Sequence, residues 1–410
     1  EMPFAWTPLE GAPRMTARGW QPPDQGFEPL AYTDEGGSVY FNWRRVWDSR
    51  VKKNPKMPQP ELLAGKAGPD TGKTYLTDSL TQNAVDYLNA QAAQRERSPF
   101  FLYFCHLAVH TPFQGKPEDV AYFEKKATRG WNGHANAIYA AMLKSLDDSV
   151  GRILDTLQQT GLAENTLVVF MSDNGGVTYT SPAATSNAPL KGGKAMMFEG
   201  GIRVPLIFRQ PGRIAAGQWC DVPVDYADLF PTLLQLANHD PLPHYARIDG
   251  RSLAPLLTDL TNARRGYPRD THYWHYPFNV GIVHPDDGLP PAPHSAIREG
   301  DFKLIFDWSG KLYLHDIRTD WREQNNLAET QPDDHESVER FITLAESLGR
   351  LDEVSAALRL RLDKAADAKG RDFQRLAYFQ NLQGLNAATR RTLLEGVARF
   401  PSDPTLRLQA

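Results

Sequence analysis

Two kinds of residue suited to charged oxygen lie about one loop apart. Ser172-Asp173-Asn174-Gly175-Gly176 ends the apolar, β-branched run Thr166-Leu167-Val168-Val169-Phe170-Met171. Such a run reads as a buried strand, and ligands of open α/β sheets bind at the carboxyl ends of strands. Asp173 offers a carboxylate and Asn174 an amide carbonyl, hard oxygen donors that suit Ca²⁺ or Mg²⁺. Gly175 and Gly176 let the backbone leave strand geometry so that neighbours turn toward one ion. Downstream come Leu190-Lys191-Gly192-Gly193-Lys194 and Phe198-Glu199-Gly200-Gly201-Ile202-Arg203-Val204-Pro205. Glycines without side chains let backbone N–H groups approach an anion, and Lys194 adds a point charge. A metal-binding pair beside an anion-binding loop suggests a sulfate or phosphate ester site. Each signal alone has a plainer reading as a solvated turn. Arg203 could touch an anion or brace the loop.

The flanking segments supply the frame. Residues 99–105 form a continuous apolar run of strand length, followed by His106-Leu107-Ala108-Val109-His110-Thr111-Pro112. His106 reads as a structural or rim residue. An earlier helix carries Leu80, Ala84, Tyr87 and Leu88 on one face, with Thr77 or Asp78 as its cap. A second, amphipathic helix covers 140–157, and Gly161 to Asn165 turns the chain back to the Thr166 strand. This βαβ-like rhythm predicts a sheet covered by helices on both faces. Residues 205–209 give another strand, 228–237 a short helix, 295–305 a hairpin and 311–316 its next strand. Residues 265–295 gather His272, Tyr273, Trp274, His275 and Tyr276 in what reads as a loop. Aromatic and histidine side chains there suit sugar or aryl contacts, with His275 as a subsite candidate, and buried packing explains them equally well. Leu344, Leu348, Leu351, Val354, Leu358 and Leu362 have helical spacing. They predict a few helices packed on the main domain, with a partner-binding helix-pair array as the alternative.

Composition narrows the class. The 410 residues can bury one large core or two to three domains, with ordinary hydrophobic (41%) and charged (23%) content. A net charge of −4 leaves no basic footprint for nucleic acid. No apolar stretch approaches the ~18 residues of a membrane span. The chain begins at Glu1 with Met2 behind it, which suggests a processed, trimmed or partial sequence. Cys105 and Cys220 could form one bridge, though nothing requires it. Ala67-Gly68-Pro69-Asp70-Thr71-Gly72-Lys73-Thr74 fits a loose phosphate-loop pattern, but no strand precedes it, so it reads as a decoy.

In order and spacing, five of these segments resemble the formylglycine-dependent sulfatases of the alkaline phosphatase superfamily. They are Asp173-Asn174-Gly175-Gly176, Leu190-Lys191-Gly192-Gly193-Lys194, Glu199-Gly200-Gly201-Ile202-Arg203-Val204-Pro205, Asp228-Leu229-Phe230-Pro231-Thr232-Leu233-Leu234 and Asp249-Gly250-Arg251-Ser252-Leu253. Gln21-Pro22-Pro23-Asp24-Gln25-Gly26-Phe27-Glu28 resembles a segment that in the family follows the first third of the catalytic domain.

The resemblance implies an α/β fold, a mixed central sheet with helices on both faces. Its sulfatase-like domain would occupy 1–240 without its first strands, a small antiparallel C-terminal subdomain 241–332, and a helical tail 333–410. It implies hydrolysis of a sulfate ester on a carbohydrate or aryl group. Asp173 and Asn174 would hold Ca²⁺ or Mg²⁺, Lys194 would bind sulfate near the leaving oxygen, and His110 would contact or protonate the leaving group. The family's formylglycine arises in a Cys-x-Pro-x-Arg or Ser-x-Pro-x-Arg motif, and neither occurs here. The expectation is therefore a truncated member that binds its cation weakly and is inactive alone. A phosphate or phosphonate ester hydrolase, or a non-catalytic protein binding a partner through its helical tail, are the alternatives. The family resemblance also implies a periplasmic or secreted location.

Overall fold

In a computed structural model of the protein, the described residues are 40–41, 75–94, 98–126, 130, 134–180, 183–238, 248–263, 267, 271–276, 294–307, 311–327, 351–364 and 368–409. The Gln21 to Glu28 segment, the Ala67 to Thr74 pattern, Leu344 and Leu348 lie outside them. The chain divides into two compact units, Glu1–Val169 with Ile207–Ala216 and Phe170–Leu206 with Gly217–Ala410.

In the first unit, α1 (Leu76–Ala93), α2 (Pro117–Glu124) and α3 (Ala137–Gln159) follow one another. Leu76, Leu80, Ala84 and Leu88 recur at helical spacing on the buried side of α1. Neither Thr77 nor Asp78 caps this helix, which begins one residue earlier, at Leu76, with Tyr75 at the cap position. Asp78 pairs instead with Lys116, at 2.8 Å. Helix α3 starts where the Asn136 side chain accepts the Tyr139 N–H at 3.0 Å, extending the predicted helix at both ends. A buried hydroxyl pair, Thr81 and Ser149 at 2.5 Å, joins α1 to α3.

The run at 99–105 belongs to neither of the two sheets formed by the described residues. Phe101 and Tyr103 are 61% and 58% exposed, while Phe100, Leu102 and Phe104 pack inward. The segment thus alternates as the predicted strand would. Strand β1 (Val168–Met171) is shorter than predicted, because Thr166 closes the preceding 3₁₀ turn through its hydroxyl on the Leu162 carbonyl, 2.8 Å. It pairs with β2 (Leu206–Arg209).

In the second unit, α4 (Glu199–Ile202), α5 (Leu229–Leu236), α6 (Ala254–Thr258) and α7 (Leu260–Ala263) precede a four-stranded antiparallel sheet. Its strands, in spatial and sequence order, are β3 (Thr271–Tyr276), β4 (His294–Glu299), β5 (Phe302–Asp307) and β6 (Lys311–Asp316). The hairpin and the strand after it lie where the sequence predicts them. The aromatic and histidine cluster, read as a loop, is instead the edge strand β3. Period-2 alternation gives this sheet two different faces. Ile297, Leu304 and Leu314 lie in register, and with Phe306 they pack against Val354, Leu358, Leu362, Phe373, Leu376 and Phe379. Those residues belong to α8 (Leu351–Lys364) and α9 (Gly370–Leu382); α10 (Asn386–Arg399) and α11 (Pro404–Gln409) add Leu393 and Leu406. The opposite face places Ala296, Ile305 and Tyr313 against Met196, Met197 and Phe198.

That second face also buries His315, whose Nδ1 meets the Asn325 carbonyl at 2.9 Å while Nε2 has no partner. Burial, with Lys191 and Lys303 nearby, pulls the imidazole down to about 4. A histidine depressed in the folded state stabilises fully above its unfolded value, near 6.5, and loses that stability as pH falls toward 4. Urea unfolding should therefore show the wild type losing about 2–3 kcal/mol more than His315→Gln between pH 7 and pH 4.

Candidate sulfate-ester site

The site is built on backbone packed against backbone. A Cβ on Gly175 would lie 1.8 Å from the Gly200 carbonyl oxygen, and one on Gly201 would lie 2.1 Å from the Met196 carbonyl oxygen. Gly193 faces the Gly176 carbonyl as closely, at 2.6 Å from the same imagined atom. Hydrogen bonds fill these contacts: Gly175 N–H donates to Gly201 (2.9 Å), Lys194 N–H to Gly176 (3.1 Å) and Gly200 N–H to Lys191 (2.7 Å). Asn187 finishes the join, its Oδ1 accepting the Gly176 N–H while its Nδ2 donates to the Gly176 and Gly192 carbonyls. The N–H groups of Gly200 and Gly201 are thus spent inside the protein and not aimed at an anion as the sequence suggested, and those of Gly175 and Gly176 are spent likewise. The glycines serve close approach, and Lys194 is left as the positive group.

Lys194 and Asp173 come together in this knot. Burial lowers the Lys194 ammonium from its ordinary value, and the nearby Asp173 carboxylate opposes that shift. Asp173 itself is exposed and Asn174 half-buried. Among the described residues neither side chain makes a hydrogen bond, so two hard oxygen donors stay available, which fits a Ca²⁺ or Mg²⁺ ligand pair. Among the described residues no group of three or more His, Cys, Asp or Glu side chains is placed to hold a metal ion. The hydroxyl of Tyr226 shares its proton between the backbone carbonyls of Ser172 (2.8 Å) and Asp173 (2.6 Å). Burial and the Asp173 charge push that phenol up to about 12, so it remains a donor.

The remaining motif residues hold the frame. Asp228, fully buried, accepts the Arg251 N–H at 2.7 Å and the Asp225 N–H at 2.9 Å, and Thr232 accepts the Leu253 N–H at 2.7 Å. Arg203 lies 3.6 Å from Glu199, the bracing role left open by the sequence. Glu199 ends the loop in an ion cluster. Lys303 Nζ lies 2.7 Å from Glu199 and 2.6 Å from Glu323, all three side chains being at most 4% exposed. Burial pushes both carboxyls up. Lys303 and two arginines bring Glu199 back below the ordinary range, while Glu323 stays raised beside the Glu199 charge. Sequence reasoning missed Lys303 and Glu323. The available signal was a lysine at an inward position of the apolar strand Phe302-Lys303-Leu304-Ile305-Phe306.

The two histidine candidates are placed differently. His110 belongs to the first unit, where the buried Tyr40 hydroxyl donates to the carbonyls of Leu107 and His110. Its Nδ1 meets the Thr111 carbonyl at 2.9 Å, which puts the lone pair of the neutral ring on Nε2. His275 is exposed on β3, its Nδ1 2.9 Å from the Ser295 hydroxyl. Alternation sets it on the sheet face opposite the one that receives Met196, Met197 and Phe198, so it is carried away from the Lys194 loop. His272 is the neighbour on the loop-facing side, buried with Nδ1 3.2 Å from Asp225. Cys105 and Cys220 are not joined in a disulfide.

Comparison with known proteins gives this geometry a family. Residues 21–239, more than half of the chain, match the sulfatase family model, and 193–351 match that of the N-sulphoglucosamine sulphohydrolase C-terminal region. The chain belongs to the sulfatase family, the type I sulfatases of the alkaline phosphatase superfamily. A sulfatase of Formosa agariphila is 32% identical over 269 residues, 63% of this chain and 47% of its own. The N-acetylgalactosamine-6-sulfatase of Mus musculus is 40% identical over 188 residues, 46% of this chain and 34% of its own. The chain thus spans between a third and a half of the length of these relatives. The solved structure of Ps i-CgsB in complex with k-i-k-neocarrahexaose superposes with a TM-score of 0.62 at 26% identity, covering 81% of this chain and 68% of that one. The fold is the alkaline-phosphatase-like α/β fold.

The close backbone contact makes a sharp prediction. Gly175→Ala has to displace the Gly200 peptide and should cost about 3 kcal/mol or more, seen as a large loss in thermal midpoint. Ala195, with φ at +69°, is the contrasting site. Ala195→Gly should raise stability by about 1 kcal/mol in the same assay.

Proposed function

We propose that this chain forms the anion- and cation-binding part of a sulfuric ester hydrolase. The observation that carries the reading is the pairing at the end of β1 of a partly desolvated lysine, Lys194, with Asp173 and Asn174, whose side-chain oxygens are open. An ammonium short of water gains more from an anionic oxygen than a solvated one does. Lys194 would hold the sulfate oxygens. Asp173 and Asn174 would hold a Ca²⁺ or Mg²⁺ ion, which when bound supplies Lewis-acid neutralisation of the ester's charge. By the family resemblance alone, His110 is kept as the leaving-group histidine, which would donate a proton from Nε2 in its protonated form. His275 is not assigned a role. The family's formylglycine nucleophile has no counterpart motif among these 410 residues, which are proposed to bind a sulfate ester without turning it over.

A sulfated carbohydrate is the proposed substrate class, with an aryl sulfate as a simpler probe. The support is the hexosamine sulfatase name of the mouse relative and the neocarrahexaose bound by Ps i-CgsB. A periplasmic or secreted setting goes with that reading. No helix among the described residues is long and apolar enough to cross a membrane.

Calorimetric titration checks the assignment. Asp173→Ala should weaken Ca²⁺ binding tenfold or more while leaving the thermal midpoint without metal unchanged within about 0.5 kcal/mol, as befits an exposed side chain. Measurable 4-nitrophenyl sulfate hydrolysis by the purified chain would sink the binding-without-turnover reading. Tighter binding of inorganic phosphate than of sulfate would move the assignment to a phosphate ester.

A further inference from the structure

We infer that Glu323 and Lys303, from the C-terminal sheet region, are positioning residues for Lys194, and that Lys191 couples them to its loop. The inference rests on the reading of Lys194 as the sulfate-binding group. Lys191 precedes Lys194 by three residues and Glu199 follows it by five. Both flanks are tied to one acidic residue. The Lys191 ammonium donates to the Glu323 backbone carbonyl at 3.2 Å, and the Glu199 N–H donates to Glu323 Oε2 at 2.6 Å. Lys303 then closes the triangle, lying between the carboxylates of Glu199 and Glu323. The Lys191 ammonium also sits 4.6 Å above the Phe198 ring and 5.7 Å from that of Tyr313, so the loop's own aromatic residue and a residue of β6 grip the same cation. At the base, the Gly200 N–H meets the Lys191 carbonyl.

A network that only stabilised the sheet would have no need to reach both ends of the Lys194 loop. This one fixes the loop at its entry and its exit, and leaves Lys194 between two held points. Buried charges make the hold specific. A loop that shifted would take Glu199 from Lys303 and the Glu199 N–H from Glu323, leaving buried polar groups unmet. Lys194 therefore stays where the knot of glycines puts it, in the field of Asp173.

The test titrates inorganic sulfate into the full 410-residue chain by calorimetry. It compares wild type, Glu323→Gln, Lys191→Met and Lys191→Arg, with Lys194→Ala as the control for lost binding. Amide exchange over 191–201 is the second readout. The expected result is sulfate bound tenfold or more weakly by Glu323→Gln and Lys191→Met, with faster exchange in that segment. Lys191→Arg, which keeps the cation over the rings and the donor to Glu323, should restore most of the affinity. Should Glu323→Gln fail to fold, the Lys191→Met and Lys191→Arg pair decides. Folded variants that bind sulfate like wild type, while Lys194→Ala does not, overturn the positioning role and leave the reading of Lys194 standing. A wild-type chain that binds no sulfate overturns that reading and this inference with it.

Discussion

Everything at the candidate site depends on three pairs of glycines whose backbones touch. Gly175-Gly176, Gly192-Gly193 and Gly200-Gly201 meet at distances that leave no room for a Cβ, so the end of β1, the lysine loop and α4 form one piece. Close approach brings amides within reach of carbonyls, and the N–H groups of Gly175, Gly176, Gly200 and Gly201 are used in holding the piece together. A site made this way has little freedom to adjust. Lys194 lies within the field of Asp173 because their backbones are locked, and not because their side chains attract strongly. A single ion pair at a half-exposed position is worth at most about 1 kcal/mol, too little to set the course of three chain segments.

The second unit adds a buried charge to that lock. Its sheet has one apolar face, which the helical tail covers, and one mixed face, where Lys303 sits among aliphatic and aromatic neighbours. Burying an ammonium with two carboxylates does not favour folding for its own sake, since desolvation cancels much of the attraction. Its effect is on geometry. Oxygen atoms from Glu199 and Glu323 have to meet one nitrogen, and few arrangements of the loop against the sheet allow it. The hydrophobic contacts of Phe198 with Tyr313 would tolerate sliding, whereas the ion cluster does not.

How much of this was legible in the sequence follows from what each signal reports. Motif order and spacing picked out the segments that carry Asp173, Asn174 and Lys194 and meet in the fold, and the period-2 patterns of 295–316 gave the hairpin and its neighbour. At 99–105 the side chains alternate as the pattern predicts, but a local window does not contain a strand's partners. Periodicity misled at β3. His272-Tyr273-Trp274-His275-Tyr276 has polar atoms on both faces and a proline after it, so it looked like a loop, although the edge position accounts for both features. The ion cluster was out of reach for a different reason. Glu199 and Lys303 are more than a hundred positions apart, and nothing local says that one inward lysine will find two carboxylates.

That contrast bears on what the five matching segments mean. Of their residues, Asp173, Asn174 and Lys194 carry functional groups the fold leaves open to a ligand. The others answer to architecture: the glycines to close backbone approach, Glu199 to Lys303, Asp228 to the N–H groups of Asp225 and Arg251, Thr232 to that of Leu253. Gly250 belongs with them, since a Cβ there would lie 1.9 Å from the Ala227 carbonyl. Each segment binds another rather than a substrate. The segments must therefore occur together, because any one of them without its partner leaves a buried donor, charge or backbone contact unmet. Their joint presence is evidence for a three-dimensional frame first and for chemistry second. The chemistry enters only through the few side chains which that frame turns outward.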